Sequence, residues 1–421
     1  MRIVVLGAGL AGVTTAWRLV QDGHEVTLID RAARVADAAS ETNGGIVSAS
    51  RAFPWASPQM HKTFMRALTR NDQAVRVMLL RWDPAFWAWG LRFLAACRPE
   101  RYAEILDRKV RFVRYAQEEL ALLAAESGVQ FHRRQEGVLY LYRSAAALEA
   151  GDRKLDPMRR LGFEFRVLDR AALLRAEPSL AASADKLAGA VLSVSDESGE
   201  SGLFCRELAA LAQVRGLMVR TGCEVRRIDV EGSRVTGVHT STGRIVADAY
   251  VCALGVIAPQ LARQLGADLP IYPVRGYSAT VPMQRPERAP TRAGIDETRL
   301  IAWCPMGDRL RITGGAEFAG WGRKSRLADY TRLFDLAEDL FPGLIDRVRG
   351  PVNSALSVCQ RPMTPESTPL FGTGRYENLW FNVGLGHMGW TMAAGAARIT
   401  ADLIAGRYPA ILLDGLRIKA R

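Results

Sequence analysis

The sequence predicts an α/β chain, α+β in part, in which a parallel-sheet domain is joined to a second domain built on a mixed β-sheet flanked by helices. Three observations predict it. The first thirty residues read strand, glycine turn, helix, strand. The middle alternates short apolar strands with helical periodicity. Near residue 380 another strand feeds a glycine turn that opens a helix.

Arg2-Ile3-Val4-Val5-Leu6 is a short β-branched apolar run, the pattern of a buried parallel strand. It meets Gly7-Ala8-Gly9-Leu10-Ala11-Gly12, a complete G-x-G-x-x-G, and Thr14–Val20 then reads as a helix. Gly23 ends it, and His24–Asp30 is a second strand closing on a carboxylate. Each position has a physical role. Gly7 permits the tight turn, Gly9 admits a pyrophosphate to the backbone, and Gly12 brings the helix close to the strand. The helix N-terminus offers amides and the positive end of its dipole to that pyrophosphate. Asp30 stands where a carboxylate accepts hydrogen bonds from an adenosine ribose diol. Arg31 follows, but Asp30 makes a ribose 2′-phosphate unwelcome. Strand, turn, helix and acidic end fall in register, which a chance glycine cluster does not achieve. This is a Rossmann-type dinucleotide site.

The motif alone does not separate FAD from NAD. The next segment, Ala39-Ser40-Glu41-Thr42-Asn43-Gly44-Gly45-Ile46-Val47-Ser48, is small, polar and glycine-rich. Ser40, Thr42, Asn43, Gly44, Gly45 and Ile46 would set hydroxyls and backbone amides against a pyrophosphate–ribityl–flavin chain. Without the preceding motif it would read as a surface loop.

Residues 60 to 125 read as helices by their apolar spacing. Within them, Val77–Leu94 combines tryptophans, phenylalanines and arginines, broken by Pro84. Aromatic stripes at helical spacing mostly serve cores, so packing into the second domain is expected; an interfacial anchor with snorkelling arginines is the other reading. Residues 128 to 195 alternate strands such as Val138–Tyr142 with helices. Asp196-Glu197-Ser198-Gly199-Glu200 leads into a helix from about Leu203. Val219–Ile228 and Tyr250–Gly255 read as further strands.

With 421 residues, two domains are expected. The net charge of +12 points to an anionic partner or simply to an arginine-rich surface. No basic segment interleaved with aromatics suggests a nucleic-acid module. The six cysteines show no C-x-x-C pair and the five histidines no ligand spacing, so no metal site is expected and the thiols read as reduced, as in a cytoplasmic protein. No run of eighteen apolar residues suggests a spanning helix, and Ile3–Leu6 is too short for a signal peptide.

The run Met1–Ser48, followed by Phe53-Pro54-Trp55-Ala56-Ser57-Pro58, resembles the small-subunit type of bacterial D-amino acid dehydrogenase. That is a branch of the D-amino acid oxidase, glycine oxidase and sarcosine oxidase superfamily. The resemblance implies FAD as cofactor. It sets Val225 against the adenine by its backbone, and Ala253 and Gly255 against the dinucleotide. It also implies a discontinuous FAD-binding domain (1–52, 196–262 and 356–421) and a substrate-binding domain (53–195 and 263–355).

Arg361-Pro362-Met363-Thr364-Pro365-Glu366-Ser367-Thr368-Pro369-Leu370-Phe371-Gly372 is similar to the family's R-P-x-T-P-D-G-x-P-x-x-G. The resemblance implies that Arg361 clamps the substrate α-carboxylate, which a planar guanidinium matches bidentately. Cys359-Gln360 replace the usual Gly-Leu, and Glu366-Ser367 the usual Asp-Gly. Tyr272–Ser278 is similar to the P-x-K/R-G-Y-S strand, making Tyr277 a substrate contact, a pocket wall or a satisfied sheet tyrosine. In Leu379–Thr391 the resemblance turns a helix N-terminus, with Gly384, Leu385, Gly386, His387 and Met388, toward the flavin pyrimidine edge, where its dipole stabilises negative charge. Leu385 stands where the family has His, and His387 where it has Thr.

The expected activity is oxidative deamination of a small amino acid, D-proline, D-alanine or similar, by hydride transfer from Cα to flavin N5. Electrons would pass to a quinone or partner protein, with peripheral attachment at the cytoplasmic face of the inner membrane. Alternatives are an oxygen-using glycine or sarcosine oxidase, a hydroxyproline- or opine-type dehydrogenase subunit of a hetero-oligomer, and a non-catalytic or NAD-binding Rossmann protein.

Overall fold

Arg2–Leu6 is apolar at four consecutive positions because both faces of the strand are covered. Ile3 and Val5 enter a cluster with helices, while Val4 and Leu6 enter a second cluster on the opposite face. The computed structural model describes residues 1–60, 75–77, 82–322, 324–346 and 355–418. The strand is central in a six-stranded sheet ordered Leu370–Thr373, Leu379–Val383, Ala249–Cys252, Arg2–Leu6, Glu25–Ile29, Met218–Arg220. All its neighbours run parallel except the first pair.

One face carries a helical layer of Leu10–Gln21, Pro99–Ser127, Ser201–Val214 and Gly389–Ile404. Val13, Trp17, Phe112, Leu208 and Trp390 fill it. The alanine-rich helix can cross Pro99–Ser127 closely because Gly395 has no side chain: a Cβ there would lie 2.6 Å from the Ala116 Cα. The other face is covered by an antiparallel sheet of Val225–Glu231, Arg234–Thr240 and Gly243–Ile245, through Ile228, Val235 and Val238.

The second sheet has nine strands and is mixed. Its main path runs Ala355–Met363, Tyr272–Pro282, Arg309–Phe318, Ile301–Met306, Gly294–Asp296, Val138–Tyr142, Gly189–Ser193, Phe165–Asp169. Helices Arg170–Ala176 and Thr331–Leu340 cover one face. The opposite face looks across a cavity toward the first sheet.

Four readings shift. Ala355–Met363 belongs to the second sheet, paired antiparallel with Tyr272–Thr280, so a domain boundary at 356 cuts through a strand. Pro99–Ser127 packs on the helices of the first sheet, because Phe112, Val113 and Ala116 form its buried face. Val219–Ile228 is two strands in two sheets, divided by a turn at Gly222 with φ +67°. The helices expected over 60–125 are Pro84–Ala96 and Pro99–Ser127, while Val75–Val77 is a strand; residues 61–74 and 78–81 lie outside the described residues.

Candidate active site

The glycine turn is held by backbone contacts that tolerate no side chain. A Cβ on Gly12 would lie 1.7 Å from the Gly7 carbonyl oxygen, and one on Gly7 2.6 Å from that of Ala253. Helix and strand are therefore in near-contact where a dinucleotide site requires it. Asp30 accepts from the Ala8 amide at 2.7 Å and the Ala32 amide at 2.8 Å, fixing its carboxylate at the cavity wall. Ser40 Oγ accepts from the Leu10 amide at 2.9 Å and so ties the glycine-rich loop to the helix start.

The loop that follows is pinned from the second sheet. Arg311, buried, donates to the carbonyls of Glu41 (2.5 Å) and Asn43 (3.0 Å) and to Thr280 Oγ1 (2.9 Å). Gly45 adopts φ +81° and meets Cys304, where a Cβ would lie 2.5 Å from the sulfur. Asp196, fully buried, accepts from Ser48 Oγ at 2.6 Å and Ser50 Oγ at 2.7 Å. Burial raises its pKa against the pull of those hydroxyls. The Ser48 amide donates to Thr391 Oγ1 at 3.0 Å, linking the loop to the C-terminal helix. Neither anchor carries a motif. Arg311 is legible only as a charge at an inward position of an apolar strand, and Asp196 carries no local signal.

These elements enclose a cavity of about 1720 Å³. That exceeds the roughly 300–1,000 Å³ of a single small-molecule site and suits a dinucleotide with a substrate beside it. Gly7, Gly9, Leu10, Asp30, Arg31, Ser40, Thr42, Asn43, Gly44, Ile46, Val225, Ala253 and Gly255 line it, as do Gly384, Leu385, Gly386, His387 and Met388. Ala8, Gly12 and Gly45 lie behind the wall, where they set backbone geometry. Glycine cradle, helix start and acidic strand end fit FAD.

Arg361 lies on the cavity side of the second sheet. Its guanidinium crosses Gly276, where a Cβ would lie 2.3 Å from Nη2, and Nη1 donates to the Gly315 carbonyl at 2.8 Å. Among the described residues no carboxylate pairs with it. Burial weighs against its charged form while Cys359 beside it works the other way. A partly desolvated guanidinium without a counter-charge favours an anion joining it. Tyr277 borders the cavity, but its hydroxyl donates to Glu317 at 2.6 Å and its ring packs edge-on against Tyr330. Strand alternation turns it to the helix-covered face, away from Arg361.

The turn Gly384–Met388 closes the cavity. Gly384 needs φ +77° and Gly386 φ +61°. His387 lies against Trp55 with ring centroids 4.8 Å apart and the planes tilted by 31°, and its buried Nδ1 has no hydrogen-bond partner among the described residues. Burial first, then the charges of Lys109 and Arg361, drive its pKa well below the ordinary value, so the ring is neutral. Lys109 is fully buried, donates to the Phe53 carbonyl at 3.2 Å, and is pushed down to about 7 by burial. Folding thus lowers this pKa, the unfolded chain binds the extra proton between about pH 7 and 10, and stability rises with pH across that window. Lys109→Met is therefore expected to stabilise by as much as about 4 kcal/mol at pH 6, less the lost hydrogen bond, with the gain fading by pH 10. Thermal unfolding at both pH values checks this; an equal gain at both contradicts it.

The departures in the Arg361 segment have structural partners. Glu366 binds Arg101 at 2.6 Å and Arg108 at 2.7 Å, tethering the segment to Pro99–Ser127. Ser367 holds φ +57°, a left-handed conformation that glycine adopts more easily. Trp89 of Pro84–Ala96 donates to the Met363 carbonyl at 2.8 Å and packs on Tyr272 and Phe318. On the same helix Leu91 and Leu94 are 69% and 60% exposed and Trp87 46%, all at the cavity mouth. The packing reading holds for Trp89, while Trp87, Leu91 and Leu94 point outward.

Comparison with known proteins gives the family and the fold. The family model described as FAD dependent oxidoreductase matches residues 2–403. D-amino acid dehydrogenase 2 of Mesorhizobium japonicum is 41% identical over 417 residues, covering 99% of each chain. D-amino acid dehydrogenase of Paramagnetospirillum magneticum is 40% identical over 418 residues, covering 99% of this chain and 98% of its own. Among solved structures, glycine oxidase from Geobacillus kaustophilus superposes with a TM-score of 0.74 at 20% identity, covering 99% of this chain and 98% of that one, a likeness of fold.

Proposed function

This chain belongs to the family of FAD-dependent oxidoreductases, and on that premise we propose that it oxidises the Cα–N bond of small D-amino acids and passes the electrons to a quinone. The observation that carries the reading is Arg361, a half-buried guanidinium on the cavity wall with no carboxylate partner among the described residues, across one cavity from the dinucleotide cradle. The relatives' printed names support the D-amino acid class.

FAD, when bound, supplies the two-electron acceptor for the hydride that leaves the substrate Cα. Arg361 takes the α-carboxylate and fixes which substituent of Cα faces the cofactor. Orientation of this kind lowers barriers by about 7–11 kcal/mol in well-aligned systems. The helix Gly389–Ile404 turns the positive end of its dipole toward the Gly384–Met388 wall. His387, held neutral, adds no positive charge beside the substrate nitrogen. An amine bound neutral then needs no protein base. The imine hydrolyses to an oxo acid and ammonia, and a proline leaves as its cyclic imine.

The apolar cavity mouth supports a quinone acceptor. Leu91, Leu94 and Trp87 are exposed together on one helix at the cavity mouth, on a chain of net charge +12. Such a surface suits peripheral attachment to an anionic bilayer. Among the described residues no helix is long and apolar enough to cross one. Turnover of D-alanine and D-proline with a soluble quinone should yield pyruvate or the cyclic imine without stoichiometric peroxide. Peroxide matching product, and indifference to quinone, would assign an oxidase instead. The triple variant Trp87→Ser, Leu91→Ser, Leu94→Ser should lose most sedimentation with anionic vesicles; sedimentation at the wild-type level would remove the membrane part.

A further inference from the structure

The turn that closes the cavity carries an imidazole that no group in the fold engages. His387 Nδ1 is shut off from solvent and meets no hydrogen-bond partner among the described residues. The residue as a whole is only half-buried and borders the cavity, so the Nε2 edge is the part open to it. Trp55 lies against the ring and borders the cavity with it. The place of the proton follows. An N–H at Nδ1 would be a buried donor without an acceptor, a rare and costly state, whereas a bare lone pair there is better tolerated. The charges of Lys109 and Arg361 oppose a second proton on the ring. The neutral imidazole therefore carries its proton on Nε2 and offers an N–H to the cavity.

The main chain sets that donor beside Arg361. Met363 and Leu385 form an antiparallel bridge, and a Cβ on Gly386 would lie 3.2 Å from the Met363 sulfur. Arg361 precedes the bridge by two residues and His387 follows it by two, which in the antiparallel sense carries both to the same side. Both border the cavity. Arg361 commits Nη1 to the carbonyls of Gly315 at 2.8 Å and Arg275 at 3.4 Å. Its remaining N–H groups form a fork that meets two of the about four lone-pair positions on a carboxylate. The other positions call for a second donor. We propose that His387 is that donor, its Nε2–H binding the substrate α-carboxylate beside Arg361. The proposal rests on the reading that Arg361 takes this carboxylate. A neutral donor suits the place, because a second cation would oppose the positive charge that builds on the Cα–N bond as hydride leaves.

The test uses the FAD-loaded protein and propionate, a carboxylate without an amine to oxidise, with binding read from the flavin spectrum. His387→Phe keeps a ring against Trp55 and removes the N–H. Its Kd for propionate should rise about 10- to 100-fold, the range for a hydrogen bond to a charged group. KM for D-alanine and D-proline should rise by a similar factor, because all three ligands share the carboxylate. His387→Gln, whose amide nitrogen reaches where Nε2 stands, should recover most of the loss. In Arg361→Met/His387→Phe the loss should be smaller than the product of the two single losses, since both residues hold one group. FAD content and Tm report folding. Wild-type propionate affinity in His387→Phe overturns the proposal, and so does a loss in His387→Gln as large as in His387→Phe. A loss confined to D-serine and absent for D-2-aminobutyrate overturns it as well, by moving the contact to the substrate side chain. His387-dependent propionate binding without turnover of any D-amino acid sinks the proposed activity and supports the two-donor carboxylate site. Turnover of D-alanine with unchanged propionate binding in His387→Phe does the reverse.

Discussion

Arg361→Met is expected to lower kcat/KM for every amino acid substrate by about 10²- to 10³-fold while the protein stays yellow. The guanidinium is held by backbone carbonyls of the second sheet, chiefly Gly315, and spans Gly276 because that position has no side chain. Its loss leaves the substrate carboxylate desolvated without its positive partner. Truncating one member of a buried charge pair costs about 2–5 kcal/mol. Arg361→Lys keeps the charge but loses the fork, so an intermediate loss is expected. FAD occupancy should persist, since the glycine turn, Asp30 and the 39–48 loop lie across the cavity. Stopped-flow reduction of the flavin checks it. A variant reduced at the wild-type rate and substrate affinity would assign carboxylate binding elsewhere.

Gly12→Val is expected to yield a colourless protein. A Cβ at this position would lie 1.7 Å from the Gly7 carbonyl oxygen, and that contact is backbone, which cannot swing aside. The helix Leu10–Gln21 must lift from the strand, carrying its N-terminal amides away from the pyrophosphate position. The cost exceeds the about 1–3 kcal/mol of ordinary overpacking. Gly9→Ala is the graded comparison. Its Cβ would meet only Ser40 Oγ, at 3.0 Å, so a small shift of one side chain relieves it and partial FAD content is expected. Flavin absorbance per protein after purification reads both. Full loading of Gly12→Val would contradict the cradle.

The contrast between these residues shows which parts of the site are legible in a sequence. The glycine turn and Asp30 act through backbone geometry at fixed spacing, so spacing alone finds them. Arg361 was found by its motif, and its place beside the cavity follows from nine residue pairs with Tyr272–Thr280 that no local pattern encodes. Tyr277 belonged to an equally legible motif, yet strand alternation commits its hydroxyl to Glu317. Asp196 and Arg311 hold the flavin-side loop from distant parts of the chain, through bonds of |i−j| 148 and 270. Such partnerships leave no periodicity. Sheet order is similarly silent: Val75–Val77 joins the second sheet beside Ala316–Phe318 within a stretch that reads as helix.

The central claim is that this cavity places a D-amino acid Cα against FAD. Anaerobic addition of D-alanine, D-proline and their L-enantiomers, following the visible flavin band, tests it most directly. Rapid bleaching by the D-enantiomers alone is the expected result. A yellow protein bleached by none of them, or by the L-enantiomers equally well, would contradict the account.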